Sequence, residues 1–173
     1  MVKKMSFDAS SGDIGFLNDA YSQNAAVGEK VSAYEFSITL DNNPDLSILM
    51  RSGQLPAMAR EPIEDKTSMG LTMNQYGAFK NAGEISFQAV EAADARLMQF
   101  IIDVVHNRRY IDVQVELTPE SKAGVANPFH DVTLRHSLLA SEAADMSTDD
   151  TTALMKFPLN VTYNWISVAG AGV

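Results

Sequence analysis

The side chains able to do chemistry are few. The chain holds three histidines, His106, His130 and His136, and no cysteine. A metal site or a nucleophile–base pair would have to be assembled from those imidazoles and the carboxylates. His130 and His136 stand six positions apart, which does not fit the i, i+4 pair of a metalloprotease helix, so both read as structural. Without cysteine there is no disulfide framework and no thiolate ligand. Asp41-Asn42-Asn43-Pro44-Asp45 has the oxygen density of a calcium loop. However, Leu46 stands where that loop needs glycine and Ser52 where it needs a bidentate glutamate. A turn fixed by Pro44 explains the same residues. Glu84 and Glu91 flank a strand with no nucleophile beside them, and Asn160-Val161-Thr162 is a formal sequon in mid-strand. No phosphate-cradling glycine loop and no nucleophile elbow occur. The expectation is a chain that is not an enzyme and needs no cofactor or metal.

The elements that would position such groups follow from composition and period. The 173 residues suit one domain of ordinary size, and 46% hydrophobic with 20% charged residues is a globular composition. The net charge of -9 is spread along the chain, and the only basic runs are Lys3-Lys4 and Arg108-Arg109. A protein that grips phosphates needs clustered Lys and Arg, so this one is expected to repel nucleic acid. Residues 6–13 break any apolar core of a signal peptide after Lys3-Lys4. No apolar run reaches the length of a membrane span.

Residues 1–31 are polar, lack a period and read as an N-terminal arm. Tyr34, Phe36, Ile38 and Leu40 alternate with Glu35, Ser37 and Thr39, the pattern of a half-buried strand over 32–41. Residues 46–51 then read as the returning strand of a hairpin. The stretch 53–82 carries Gly53, Pro56, Pro62, Gly70 and Gly77 and reads as a long loop, with extended chain expected around 67–73. Its apolar side chains (Leu55, Met58, Ile63, Met69, Leu71 and Met73 among them) either fill this domain's own core or dock on another subunit. A strand follows over 84–89. A helix over 91–107 is striped by Leu97, Phe100, Ile101, Val104 and Val105. Further strands are expected over 111–117, 129–140 and 154–166, the last placing Phe157, Leu159, Val161, Tyr163 and Trp165 on one face. The sum is a mainly β domain: two packed antiparallel sheets with one main helix at an end or edge and a long loop between strands.

The stretch 34–51, the loop opening at Gln54-Leu55-Pro56, the string Gly83-Glu84-Ile85-Ser86-Phe87, the helix and the terminal strand LMKFPLNVTYNWI at 154–166 come in one order. In that order they resemble the tail tube proteins of contractile bacteriophages, which are related in fold to type VI secretion and contractile bacteriocin tubes. The resemblance covers 32–168, leaving 169–173 as a C-terminal tail. It implies a β-sandwich or barrel-like tube domain, hexameric rings stacked into a hollow tube, and sheath, baseplate and tail terminator proteins as partners. DNA would pass through the channel unbound, and the protein would belong to the virion after assembly in the host cytoplasm, away from any membrane. On this view the polar sheet positions Glu84, Ser86, Gln88, Lys156, Asn160, Thr162 and Asn164 face the lumen. Leu55, Met58, Ile63, Met69, Leu71 and Met73 form a ring-stacking loop. A polar sheet face also simply meets bulk solvent in any half-exposed sheet. A baseplate initiator ring, a secretion-system tube ring and a monomeric β-sandwich binding module are the other readings open at this stage.

Overall fold

A computed structural model describes residues 13–171, and the chain divides between Ser32 and Ala33. The first unit contains α1 (Ile14–Val27). Asp13 caps it by accepting the Phe16 amide at 3.2 Å, and Gly28, at φ 81°, ends it. The arm expected over 1–31 is thus largely helical where it is described. Its helix escaped the period test because no side chain is buried, Ile14, Phe16, Leu17, Tyr21 and Val27 included. Residues 1–12 lie outside the described residues.

The second unit starts with β1 (Phe36–Leu40). Two left-handed residues, Asp41 and Asn42, then lead into α2 (Pro44–Ser47), capped by the Asn43 side chain. That turn carries the chain away from β1, so the expected hairpin does not form. β1 pairs antiparallel with β6 (Ile111–Leu117), setting Ile38 opposite Val115 and Leu40 opposite Val113. β2 (Met50–Ser52) pairs instead with β5 (Gly83–Val90). The long segment between β2 and β5 is mostly a second, two-stranded sheet. β3 (Arg60–Lys66) and β4 (Thr72–Phe79) form a hairpin whose turn at Ser68–Gly70 falls where extended chain was expected.

α3 (Arg96–His106) starts five residues later than the expected helix over 91–107, while its apolar stripe from Leu97 on lies within it. The cause is Glu91. Its carboxylate accepts the Leu97 amide at 3.1 Å and the Met98 amide at 2.8 Å, two of the free donors of the first turn. It must therefore stand outside the helix. Leu97, Ile101 and Val104 are buried, whereas Val105 is exposed.

β7 (Asp131–Ser141) is the strand shared by two halves of a seven-stranded sheet, whose order is β1-β6-β7-β8-β5-β2. β8 (Lys156–Tyr163) pairs with its second half and β9 (Trp165–Val168) with its first. The β7–β6 register slips by one residue between Ile111 and Val113, whereas β8 and β9 keep one common register against β7. The extra residue is taken up at His136, which sits at φ 52°. Bulges of this kind bend a strand and re-aim it. The bend folds the sheet over a core of Ile38, Leu40, Phe87, Leu97, Val113, Leu134, Leu159 and Val161, among others. The two halves touch at Gly53, where a Cβ would lie 2.4 Å from the Ile38 side chain and 2.8 Å from Phe87. The result is a mainly β, sandwich-like and nearly closed barrel with one main helix. A short 3-10 turn, Ala169–Ala171, follows β9. Among the described residues no helix is long and apolar enough to cross a membrane.

The expected terminal strand is broken at Asn164. The break shifts the alternation by one, so Tyr163 and Ile166 are buried and Trp165 is 40% exposed. Trp165 therefore does not share the face of Phe157, Leu159 and Val161.

Candidate assembly surfaces

Two surfaces gather the residues singled out in the sequence. The first is the outer face of the half-sheet β7-β8-β5-β2. Period-two alternation buries Phe157, Leu159 and Val161 of β8 with Ile85 and Phe87 of β5, which turns their neighbours outward. Cross-strand pairing then sets those neighbours in rows. Glu84 stands opposite Thr162, which faces Leu138 of β7. Ser86 stands opposite Asn160, which faces Ala140. Gln88 lies between Pro158 and Ser52. Lys156 begins β8 on the same side as Asn160 and Thr162.

Ser86 and Asn160 are linked by a hydrogen bond. Ser86 Oγ donates to Asn160 Oδ1 at 2.9 Å, and Asn160 Nδ2 donates to a Glu142 carboxylate oxygen. The Ser86 amide donates to Gln54 Oε1 at 3.3 Å. Ser52, Gln54, Ser86, Gln88, Glu142 and Asn160 line a shallow hollow of about 330 Å³. Gln54, Glu142, Leu138 and Ala140 were not foreseen on this face. Gln54 and Glu142 lie outside strands, where period gives no signal, and the adjacent leucines at 138 and 139 hid which of them turns outward.

Asn164 is the exception among the polar positions. It lies at the break between β8 and β9, and its amide Nδ2 donates to the His136 carbonyl at 2.8 Å. The His136 amide in turn donates to Asp112 Oδ1 at 3.0 Å. Asn164 thus fastens the bend of β7.

The second surface is the β3–β4 hairpin with the segment leading to it. Leu55, Met58, Ile63, Leu71 and Met73 are each more than half exposed and Met69 is 96% exposed. They do not fill this chain's core. Tyr76, 90% exposed, joins them. The hairpin is fixed at its root. Phe79 packs edge-on against Trp165 with ring centroids 6.2 Å apart, the Arg60 guanidinium lies 5.9 Å from the Phe79 ring centre, and Asn81 Nδ2 donates to the Asn164 carbonyl at 2.8 Å.

The remaining chemical candidates stay apart. His136 occupies the bulge and His130 ends a 3-10 turn with its Nδ1 buried and without a hydrogen-bond partner. Among the described residues no three His, Asp or Glu side chains come together as a metal-binding set.

No family model matches this chain, and no curated protein sequence does. Solved structures do. A chain of the sheath–tube complex of an extracellular contractile injection system in its extended state superposes with a TM-score of 0.62 at 14% identity, over 84% of this chain and 95% of that one. A chain of the tube-terminating cap of the anti-feeding prophage gives 0.60 at 13% identity, over 95% of this chain and 97% of that one. A chain of the virion of a native gene transfer agent particle gives 0.53 at 14% identity, over 80% of this chain and 98% of that one. The bent seven-stranded sheet with its main helix is thus a fold that this chain shares with components of contractile injection and gene transfer particles.

Proposed function

We propose that this chain is a structural subunit of the inner tube of a contractile phage tail. Six copies form a ring, rings stack through the β3–β4 hairpin, and the channel conducts the genome during ejection. The subunit works with sheath, baseplate and tail terminator proteins in the virion, is assembled in the host cytoplasm, and carries out no catalysis.

The observation that carries the reading is the pair of open edges on one half-sheet. Among the described residues, β7 beyond Ser137 has no strand partner on the side away from β8, and β2 has none on the side away from β5. Unpaired edges invite pairing with another chain. The half-sheet has four antiparallel strands, β7, β8, β5 and β2. An even number lets β2 of one copy meet β7 of the next antiparallel, and repetition around a ring closes every edge. The face carrying Glu84, Ser86, Gln88, Asn160 and Thr162 then lines the bore. Polar side chains suit a water-filled barrel, and Glu84 with Glu142 keeps phosphates from adhering.

The absence of cysteine makes a direct test available. Ser52→Cys is combined with Leu138→Cys or Ala140→Cys and oxidised under assembling conditions. We expect a ladder of covalent multimers ending at six. A ladder that never closes, or monomer alone at every pairing, contradicts ring closure through these edges.

A second reading has its own support. The match to the tube-terminating cap is longer than the stretch 33–173, so it extends into the first 32 residues. That favours a ring that ends the tube over one that repeats along it. Single closed rings that never stack would decide for the cap.

A further inference from the structure

The hairpin is joined to the rest of its unit in an unusual way. β3 and β4 form a sheet of their own, and their side chains are exposed along nearly the whole length. A lone two-stranded hairpin is at best marginally stable in water. Two non-covalent contacts that tie its root to the larger sheet fall on consecutive residues, Asn164 and Trp165. Asn164 is the break between β8 and β9, and Trp165 is the first residue of β9. Asn164 is also tied to the bend of β7, through its amide to His136 and its own backbone N–H to the Arg135 carbonyl at 3.3 Å.

From this geometry we infer that Asn164 and Trp165 form a clasp that holds the hairpin ordered and sets its direction from the β7 bend, with Asn164 as a positioning residue. Trp165 supplies a rigid aromatic wall for Phe79, and the Arg60 guanidinium of the hairpin itself also lies against the Phe79 ring. Asn164 supplies a carbonyl for Asn81, and that carbonyl keeps its aim because the Asn164 side chain is held by His136. The chain of contacts runs Asp112, His136, Asn164, Asn81, hairpin. A docking arm benefits from such a clasp, because ordering it before contact lowers the entropic cost of binding. This last point rests on the stacking role proposed above; the clasp itself does not.

The test is amide hydrogen exchange on the full-length chain kept dispersed, comparing the parent with Asn81→Ala, Trp165→Leu and Asn164→Ala. A lost hydrogen bond or aromatic pair weakens the root enough to speed exchange by about tenfold. We expect that acceleration over 60–79 in all three variants, with exchange in β5 and β8 unchanged. Asn164→Ala is decisive for the positioning role, since its side-chain hydrogen bond goes to the His136 carbonyl in the β7 bend, and unchanged exchange over 60–79 in this variant overturns that role. Unchanged exchange over 60–79 in Asn81→Ala and Trp165→Leu overturns the clasp. So does equal acceleration throughout the sheet, which would make these residues ordinary fold supports. Electron microscopy of the same variants separates the two claims. If the parent stacks and the clasp variants form rings that stack poorly, the clasp serves docking. If the parent never stacks, the stacking role fails while the exchange result still decides the clasp.

Discussion

Among single residues, Glu116 and Asp131 make the clearest electrostatic conflict. They stand directly opposite each other on β6 and β7. Partial burial raises the Glu116 carboxyl above the ordinary glutamate range, and the Asp131 charge adds to it. Gln114 relieves Asp131 with a hydrogen bond at 3.0 Å but does nothing for Glu116. A folded-state pKa raised above the unfolded one means that folding takes up a proton. This contribution to stability is full below the unfolded glutamate pKa and is lost as pH rises through the folded one. Glu116→Gln should flatten that decline and stabilise the dispersed chain near pH 7 by roughly 0.5 kcal/mol, the scale of a directly opposed like pair after solvent screening. Melting temperatures from pH 4 to 8 check this, and parallel curves for parent and variant would refute it. The pairing was hidden in the sequence: Glu116 and Asp131 each look like a solvated strand residue until the register sets them face to face.

At the scale of elements, the parts that were legible are those with one buried face. β1, β5, β6 and β8 each alternate, β7 alternates in phase only up to its bulge at His136, and the stripe of α3 names its core residues Leu97, Ile101 and Val104. Elements without a buried face left no period to read. α1 is exposed all round, and β3 and β4 alternate between two solvent-facing sides with Pro62 and Gly77 inside them. Pairing was also illegible where it depended on a turn. Two left-handed residues at 41 and 42 decide that β1 and β2 part company, and Asn and Asp are the non-glycine residues best able to adopt that conformation. The exposure of the hairpin carries its own prediction. Replacing Met69, Leu71 and Met73 with Ser should change the melting temperature of the dispersed chain by less than the equivalent of about 0.5 kcal/mol, as for surface substitutions in general. The same variant should abolish stacking of rings. Calorimetry and sedimentation together check it, and a large loss of stability, or undiminished stacking, contradicts it.

For the molecule as a whole, the polar face, the two open edges and the projecting hairpin each suit a subunit that is complete only among copies of itself. Glu84, Ser86, Gln88, Asn160 and Thr162 come onto one face through the β5–β8 register. The sequence supplied these residues by alternation, but their common face and the Ser86–Asn160–Glu142 chain needed the register. Asn164 was grouped with them by the same alternation and belongs to the bend of β7 instead, because the strand breaks beneath it. The most direct measurement is electron microscopy of the purified full-length chain across a range of concentrations. The account predicts closed six-fold rings with a central hole, stacking end to end as concentration rises. Dispersed single subunits at every concentration would contradict it.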